Sequence, residues 1–403
     1  MVLPIGEWIP TFLLDSKCFI SLGMDSIAIF NNRGIKVYFM IEHIAKFLSD
    51  FRANEHSGFL FNKIRYSTLI DAAPSIFGRI ISDVDHYIYT LAEIVGSKLK
   101  DKRLVLWYSG GKDSTSALYI ILRLQELINF KLFVGYIHVP FLDGEENSKF
   151  IDFVERKFSI DIIRASIGKN YMYRLLMERG LPYRGYRWCT YNAKIKVMRK
   201  IKRNLNCDFE ISAERIFESF KRFRSLREYA KQFMFISGNQ FKPIFPLTIL
   251  DIVNICKKID LVHPHYLQGC SRISCSLCPY RTIIELNKTL KDTHDPGLVE
   301  ELIRITHKKY HSTIGYDIYK RYALWRFSPK ISSIILELKQ HLSRREDRGI
   351  CETDLLKSIA WIWHHNIEAP RITLTDIFSL VPNMKNPIYI VNSNIYLGDY
   401  SGF

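Results

Sequence analysis

At 403 residues the chain is too long for one modest core, and two or three domains are expected. A composition of 47% hydrophobic and 24% charged residues excludes a disordered chain, and the absence of a long apolar run excludes a bilayer-spanning helix. The net charge of +16 favours a polyanionic partner, nucleic acid before others, over a small-molecule enzyme with no need of such a field. The start, M-V-L-P-I-G-E-W-I-P, lacks the basic and apolar segments of a signal peptide, so a cytoplasmic protein with no membrane partner is expected. In that setting the eight cysteines read as ligands, nucleophiles or buried hydrophobes before disulfides.

Residues 1–100 read as an N-terminal α+β region. Ser26–Met40 carries two strand-like runs around N-N-R-G, a source of positive φ for a hairpin turn. Helical patterns follow at Ile41–Phe51 and Ile81–Leu99. No chemistry is visible here, and Cys18 reads as buried or incidental.

Residues 101–282 alternate strand and helix. The apolar run Leu104–Tyr108 predicts a buried strand, Ser109–Ser114 (S-G-G-K-D-S) a loop, and the residues after it a helix. Strand, glycine-rich loop and helix N-terminus form an anion site, because backbone N–H groups converge there and the helix dipole favours negative charge. Gly110 and Gly111 let the backbone approach a phosphate; Ser109, Ser114 and Thr115 add hydroxyls, Lys112 a cation, and Asp113 a carboxylate. The spacing differs from a Walker A loop. A second strand, Lys131–Val139, ends in P-F-L-D-G-E-E-N, which brings Asp143; a helix (Ser148–Phe158) and a strand (Asp161–Arg164) follow. This rhythm predicts an α/β fold with a doubly wound parallel sheet, with both loops facing one crevice at the carboxyl ends of its strands.

Three further motifs carry chemistry. In G-L-P-Y-R-G-Y-R-W-C-T, Arg184 and Arg187 flank Trp188-Cys189, and arginine suits multidentate recognition of phosphate or sulfate. The helix behind it has an apolar stripe (Ile195, Met198, Ile201, Leu205) and a basic one (Lys196, Arg199, Lys200, Arg203), which is either a solvated face or a phosphate contact. In A-E-R-I-F-E-S-F-K-R, Arg215, Glu218, Ser219 and Arg222 converge if a loop enters a helix there. Finally, Cys270, Cys275 and Cys278 form C-x4-C-x2-C closed by a proline, a metal-ligand pattern for which Cys189 is the best fourth ligand. A 4Fe–4S cluster on four cysteines, a cluster with one open iron and structural zinc all suit thiolates; the cluster is favoured on ligand type. Residues 283–403 read as mainly helical, with helices at Glu300–Lys309, Ile331–Leu342 and Thr353–His364 and a hairpin at Pro387–Gly398, an order that suits a small winged-helix-like, nucleic-acid-binding module.

In this order the motifs resemble the phosphoadenosine phosphosulfate (PAPS) reductase family, within the PP-loop, adenine nucleotide α-hydrolase-like superfamily. S-G-G-K-D-S and R-W-C-T carry most of the likeness, with R-I-F-E-S-F-K-R and R-I-S-C-S-L-C-P behind them. Asp143-Gly144 keeps part of the family's D-T-G-x-E, and Ala213-Glu214 stands where a glycine is usual. The resemblance implies ATP, or PAPS or adenylylsulfate, across the sheet with its phosphates on Ser109–Ser114 and Mg²⁺ bridging. Lys112, Asp113 and Cys189 are then the catalytic candidates, and Thr115, Asp143, Arg187, Arg215, Glu218 and Ser219 complete the nucleotide contacts. Thioredoxin-dependent reductases end in E-C-G-x-H; here Cys351 sits in G-I-C-E-T, which argues against a standard reductase. The iron–sulfur branch, with adenylation-dependent sulfur transfer to tRNA or DNA from a sulfur or electron donor, fits the charge and the cysteines better. A cluster-bearing reductase releasing sulfite and a non-catalytic nucleic-acid-binding protein are the alternatives. The nearby arginines are expected to lower the pKa of the Cys189 thiol.

Overall fold

The computed structural model describes residues 79–216, 234–281 and 295–329, single positions between and beyond them, and the backbone of eight short outlying strands. Six of these strands precede residue 79: β1 (Thr11–Asp15), β2 (Cys18–Leu22), β3 (Ser26–Asn31), β4 (Gly34–Phe39), β5 (Phe59–Phe61) and β6 (Ile64–Tyr66). β1 to β4 form one antiparallel sheet, and Asn31 pairs with Gly34 across a two-residue turn, so the predicted hairpin is present. The helix expected at 41–51 lies outside the described residues.

The main body runs α1 (Val84–Leu99), β7 (Arg103–Trp107), α2 (Lys112–Leu127), β8 (Lys131–His138), α3 (Glu145–Phe158), β9 (Ile162–Ser166) and α4 (Lys169–Arg179). After a π-helical turn (Thr190–Ile195) come α5 (Lys196–Asn204), β10 (Phe209–Ile211), β11 (Ile236–Ser237), β12 (Gln240–Phe241), α6 (Ile249–Lys258) and α7 (Pro264–Leu267). Then follow α8 (Pro296–Tyr310), α9 (Tyr316–Arg321) and the hairpin strands β13 (Tyr389–Val391) and β14 (Asn394–Tyr396). Of the two other predicted C-terminal helices, the described positions 332, 333 and 336 and 360 and 362–364 are helical.

Six strands form the central sheet in the order β11-β12-β10-β7-β8-β9, parallel except for β11. The chain steps outward from β7 through β8 to β9, then returns to the other side of β7 through β10. That reversal defines a doubly wound sheet whose crevice opens between the carboxyl ends of β7 and β10. β7 sits at the centre, and Leu104, Val105 and Leu106 are all buried, as a strand covered on both faces requires.

The core does not respect the domain boundaries expected at 100 and 282. Ile88, Leu91 and Val95 of α1 share one apolar cluster with Leu118 and Ile121 of α2, and so do Leu302, Ile303, Tyr319 and Phe327. An amphipathic helix next to a strand reads in sequence as the end of a preceding region. Among the described residues its apolar stripe packs into the core of the sheet domain. Asp251 fixes the same junction: one carboxylate oxygen closes the capping box with Thr248, and the two oxygens accept the N–H groups of Ile80 and Ile81.

Two buried histidines make this core acid-sensitive. Burial holds His263 down at about 3, helped by His265 and Arg281, and holds His311 down at about 4. His263 Nδ1 accepts the N–H of His265 at 3.1 Å, a bond that protonation would abolish. An unfolded histidine titrates near 6.5, so between that value and the folded ones the unfolded chain binds the extra protons. Stability is therefore full above about pH 6.5 and falls on acidification, by a few kcal/mol in total by about pH 4. Urea midpoints measured from pH 7.5 to 5 test this; a flat profile would contradict it.

Candidate functional site: a phosphate loop beside a cysteine-bearing turn

The loop after β7 is built by its own hydroxyls. Ser109 Oγ and Ser114 Oγ lie 3.0 Å apart, Ser114 Oγ donates to the Gly111 carbonyl at 2.8 Å, and Ser109 Oγ accepts the Gly111 N–H. This arch turns the chain into α2, whose first-turn N–H groups have no intrahelical acceptors. Gly110 has φ +79°, and a Cβ there would stand 2.3 Å from Asn147 Oδ1. Gly110→Ala is expected to cost about 1–2 kcal/mol for the left-handed backbone alone. It should also push Asn147 off Tyr136, whose hydroxyl accepts the Asn147 amide at 3.3 Å. A urea-midpoint comparison measures the effect, and an unchanged midpoint would refute it.

α2 is locked from behind. Ser116 Oγ donates to the Ile252 carbonyl, Cys256 donates to the Lys112 carbonyl, and the Lys112 N–H donates to the Tyr266 hydroxyl at 3.0 Å. The Lys112 ammonium, on a side chain only 7% exposed, lies 5.7 Å from the Tyr266 ring centroid and 3.3 Å from Asp113 Oδ2. Tyr266 in turn stacks on Trp363 with ring centroids 4.8 Å apart. Nothing in H-P-H-Y-L marked Tyr266 as part of the phosphate site.

The crevice holds a cavity of about 610 Å³. Ser109, Gly111, Lys112, Asp113 and Ser114 line it from the loop; Glu210, Ser212, Ala213 and Glu214 line it from β10 and the segment after it. Arg187, Ser271 and Arg272 close it from the two other predicted motifs. Arg215 is fully buried beneath and ion-pairs with Asp113. Glu214, of the Ala213-Glu214 pair at which the resemblance leads one to expect a glycine, bridges Arg222 and Lys242. Burial pushes its carboxyl up, but the two cations outweigh that and leave it below the ordinary range. Its backbone has no positive φ, so this loop keeps its shape by ion pairs and needs no glycine. Glu218 and Ser219 lie outside the described residues.

Three expectations need correction. Thr115 does not face the cavity: its hydroxyl is 3.0 Å from the buried Tyr108 hydroxyl, and its N–H donates to Gly111. Arg184 is a framework residue, 1% exposed, with Nε on the Pro279 carbonyl and its guanidinium 4.6 Å from the Phe327 ring. Asp143 binds no cavity group; it accepts the Val139 N–H at 2.7 Å and the Tyr136 hydroxyl at 3.1 Å.

Asp143 instead faces the cysteines. The Ser276 N–H donates to the Leu142 carbonyl at 2.6 Å, pinning the C-x2-C turn to the Asp143 loop. Cys189, Cys275, Cys278 and Asp143 all lie within electrostatic reach of the Lys194 ammonium. Burial pushes the Cys189 thiol up, and Cys278 adds to the shift; Lys194 and Arg187 oppose it without reversing it, contrary to the expectation of an arginine-lowered pKa. Burial raises Cys275 further. The Cys275 sulfur is the strongest influence raising Lys194, with Asp143 behind it. Cys270 is buried in the turn after α7, its N–H on the His265 carbonyl. Among the described residues no group of three or more His, Cys, Asp or Glu side chains is arranged to hold a metal ion.

The architecture defines a class: a doubly wound, mostly parallel α/β domain with a glycine-rich loop at the topological switch point. Residues 103–281, a little under half of the chain, match the phosphoadenosine phosphosulfate reductase domain family. Two uncharacterized proteins of Methanocaldococcus jannaschii are similar: one at 29% identity over 57% of this chain and 46% of its own length, the other at 26% over 60% and 55%. The chain thus spans about half the length of these curated relatives. Among solved structures, the U34-tRNA thiolase NcsA of Methanococcus maripaludis with its 4Fe–4S cluster aligns at 14% identity and TM-score 0.34, covering 66% of this chain and 80% of that one. The NH3-dependent NAD synthetase of Campylobacter jejuni aligns at 14% and 0.32, covering 65% and 95%. No described helix is long and apolar enough to cross a membrane.

Proposed function

We propose that this protein binds ATP across the crevice and uses it to activate an oxygen of a nucleic-acid base for replacement by sulfur. The observation that carries the reading is one cavity walled by Ser109–Ser114 on one side and by Ser271 and Arg272, just ahead of the C-x2-C turn, on the other. The β- and γ-phosphates would lie on the loop N–H groups and Lys112, with Mg²⁺ held chiefly by the phosphates. The acceptor oxygen attacks the α-phosphorus, the bond to the β-phosphate breaks, and pyrophosphate leaves toward Lys112. A hydrosulfide then adds to the adenylated carbon; the C–O bond breaks, the oxygen departs with AMP, and a proton is released. The balance needs no oxidant or reductant. Arg187 and Arg272 are placed to orient the α-phosphate. Cys189, Cys275 and Cys278 stand near Lys194 at the edge of this scheme, and no step is routed through a metal cluster.

The test supplies ATP, transfer RNA and hydrosulfide and measures pyrophosphate, AMP and base-bound sulfur. Stoichiometric release of all three supports the reading. Sulfite release from PAPS or adenylylsulfate, without pyrophosphate from ATP, would overturn it in favour of a reductase.

A further inference from the structure

Between Gly180 and Cys207 the chain carries eight cations and no carboxylate, half of the net charge of +16. Most of this segment is the π-helical turn and α5, and α5 has no buried residue. Lys196, Arg199, Lys200 and Arg203 recur at helical spacing and are exposed. Among the described residues no carboxylate pairs with any of the four, whereas Lys202, on the flank, is taken by Glu210 at 3.1 Å. Unneutralised like charges on one short helix repel one another, and a polyanion would relieve that.

Two aromatic rings of the same segment are exposed, and one of them lies beside a cation of the helix. Tyr191 is 48% exposed and Tyr186 39%, and the Lys196 ammonium lies 5.3 Å from the Tyr191 ring centroid. Solvent-facing rings beside unpaired cations suit a strand whose phosphates meet the cations while unstacked bases lie on the rings. The segment also reaches the site, because Arg187, ahead of the helix, and Met198, on its other stripe, line the cavity.

We propose that the α5 face, with Tyr186 and Tyr191, is the docking surface for single-stranded nucleic acid, and that it delivers a base to the cavity past Arg187. The delivery rests on the function proposed above; the docking does not. A duplex would satisfy the cations but leave the two rings unused, since its bases are already stacked.

The test measures binding of the full chain to a labelled single-stranded RNA of about 12 nucleotides, without ATP, across a salt series. Lys196→Gln/Arg199→Gln/Lys200→Gln should weaken binding at least tenfold and reduce the slope of log affinity against log salt by about 2. Tyr191→Ala should weaken binding about tenfold with the slope unchanged. Lys98→Gln/Lys102→Gln/Lys131→Gln removes three exposed cations, two of them (Lys102 and Lys131) at the amino ends of β7 and β8, and should leave binding as it is. Equal losses in the two triple variants, no loss in the α5 triple, or a duplex bound as tightly as the single strand would each overturn the proposal. All substituted residues are exposed, and an unchanged melting temperature verifies the fold. Failure here with intact ATP-dependent pyrophosphate release would sink the docking surface alone; RNA binding without that release would sink the function and leave the surface standing.

Discussion

Lys112→Ala is expected to lower ATP-dependent pyrophosphate release by about two to three orders of magnitude, the usual loss when a preorganised charge is removed from a departing oxyanion. The ammonium is held at the mouth of α2, sunk against the Tyr266 ring and braced by Asp113. Lysine rotamer freedom has therefore been given up before the nucleotide arrives, and little reorganisation remains at the transition state. The α2 N–H groups stay in place in the variant, so nucleotide affinity should fall much less than turnover. That split between KM and kcat is the diagnostic result. Turnover within tenfold of the wild type would mean that Lys112 is an anchor for α2 and not a source of catalysis.

What the chain disclosed by itself was whatever depends on nearby residues. The S-G-G-K-D-S loop, the strand before it and the helix after it are one local event, and the arch of Ser109, Gly111 and Ser114 forms where hydroxyls and glycines are consecutive. The pairing of β3 with β4 followed in the same way from turn chemistry. The order of strands was reachable only as a class, because alternation of strand and helix fixes parallelism and not which neighbour β10 chooses. Functions fixed by distant partners were not legible. Thr115 carries a hydroxyl on the first turn of α2, but the buried Tyr108, just past the end of β7, is its partner. Arg184 and Arg187 are three residues apart and look equivalent; one is buried against Phe327 and Pro279, the other lines the cavity. Glu214 looked like a flaw in a loop that wants glycine, until Lys242 and Arg222 supplied the constraint from other elements. The cysteine spacing gave proximity to Asp143 and Lys194 but not an assembled ligand set.

Arg215→Ala is expected to be the most destabilising single change in the site. The guanidinium is fully buried, and its Nε donates to Asp113 Oδ1 at the start of α2. Breaking a buried ion pair from one side costs about 3–5 kcal/mol when the other charge is left uncompensated, and here Lys112, 3.3 Å from Asp113 Oδ2, remains as a second partner. Two features place the change toward the lower end of that range. Asp113 is 22% exposed toward the cavity, so water can reach it, and its charge stays at a helix N-terminus, where the dipole favours it. A loss of about 3 kcal/mol in a domain of this size lowers the melting temperature by roughly 6–12 °C. Because the penalty belongs to the stranded carboxylate, Arg215→Ala/Asp113→Asn should be more stable than Arg215→Ala alone. That sign of coupling distinguishes an ion pair from simple packing of the arginine stem. Thermal melts of the two single variants and the double variant decide it: a double variant that loses the sum of the single effects would show that Asp113 does not feel Arg215, and the account of how the loop after β10 braces the phosphate loop would fail with it.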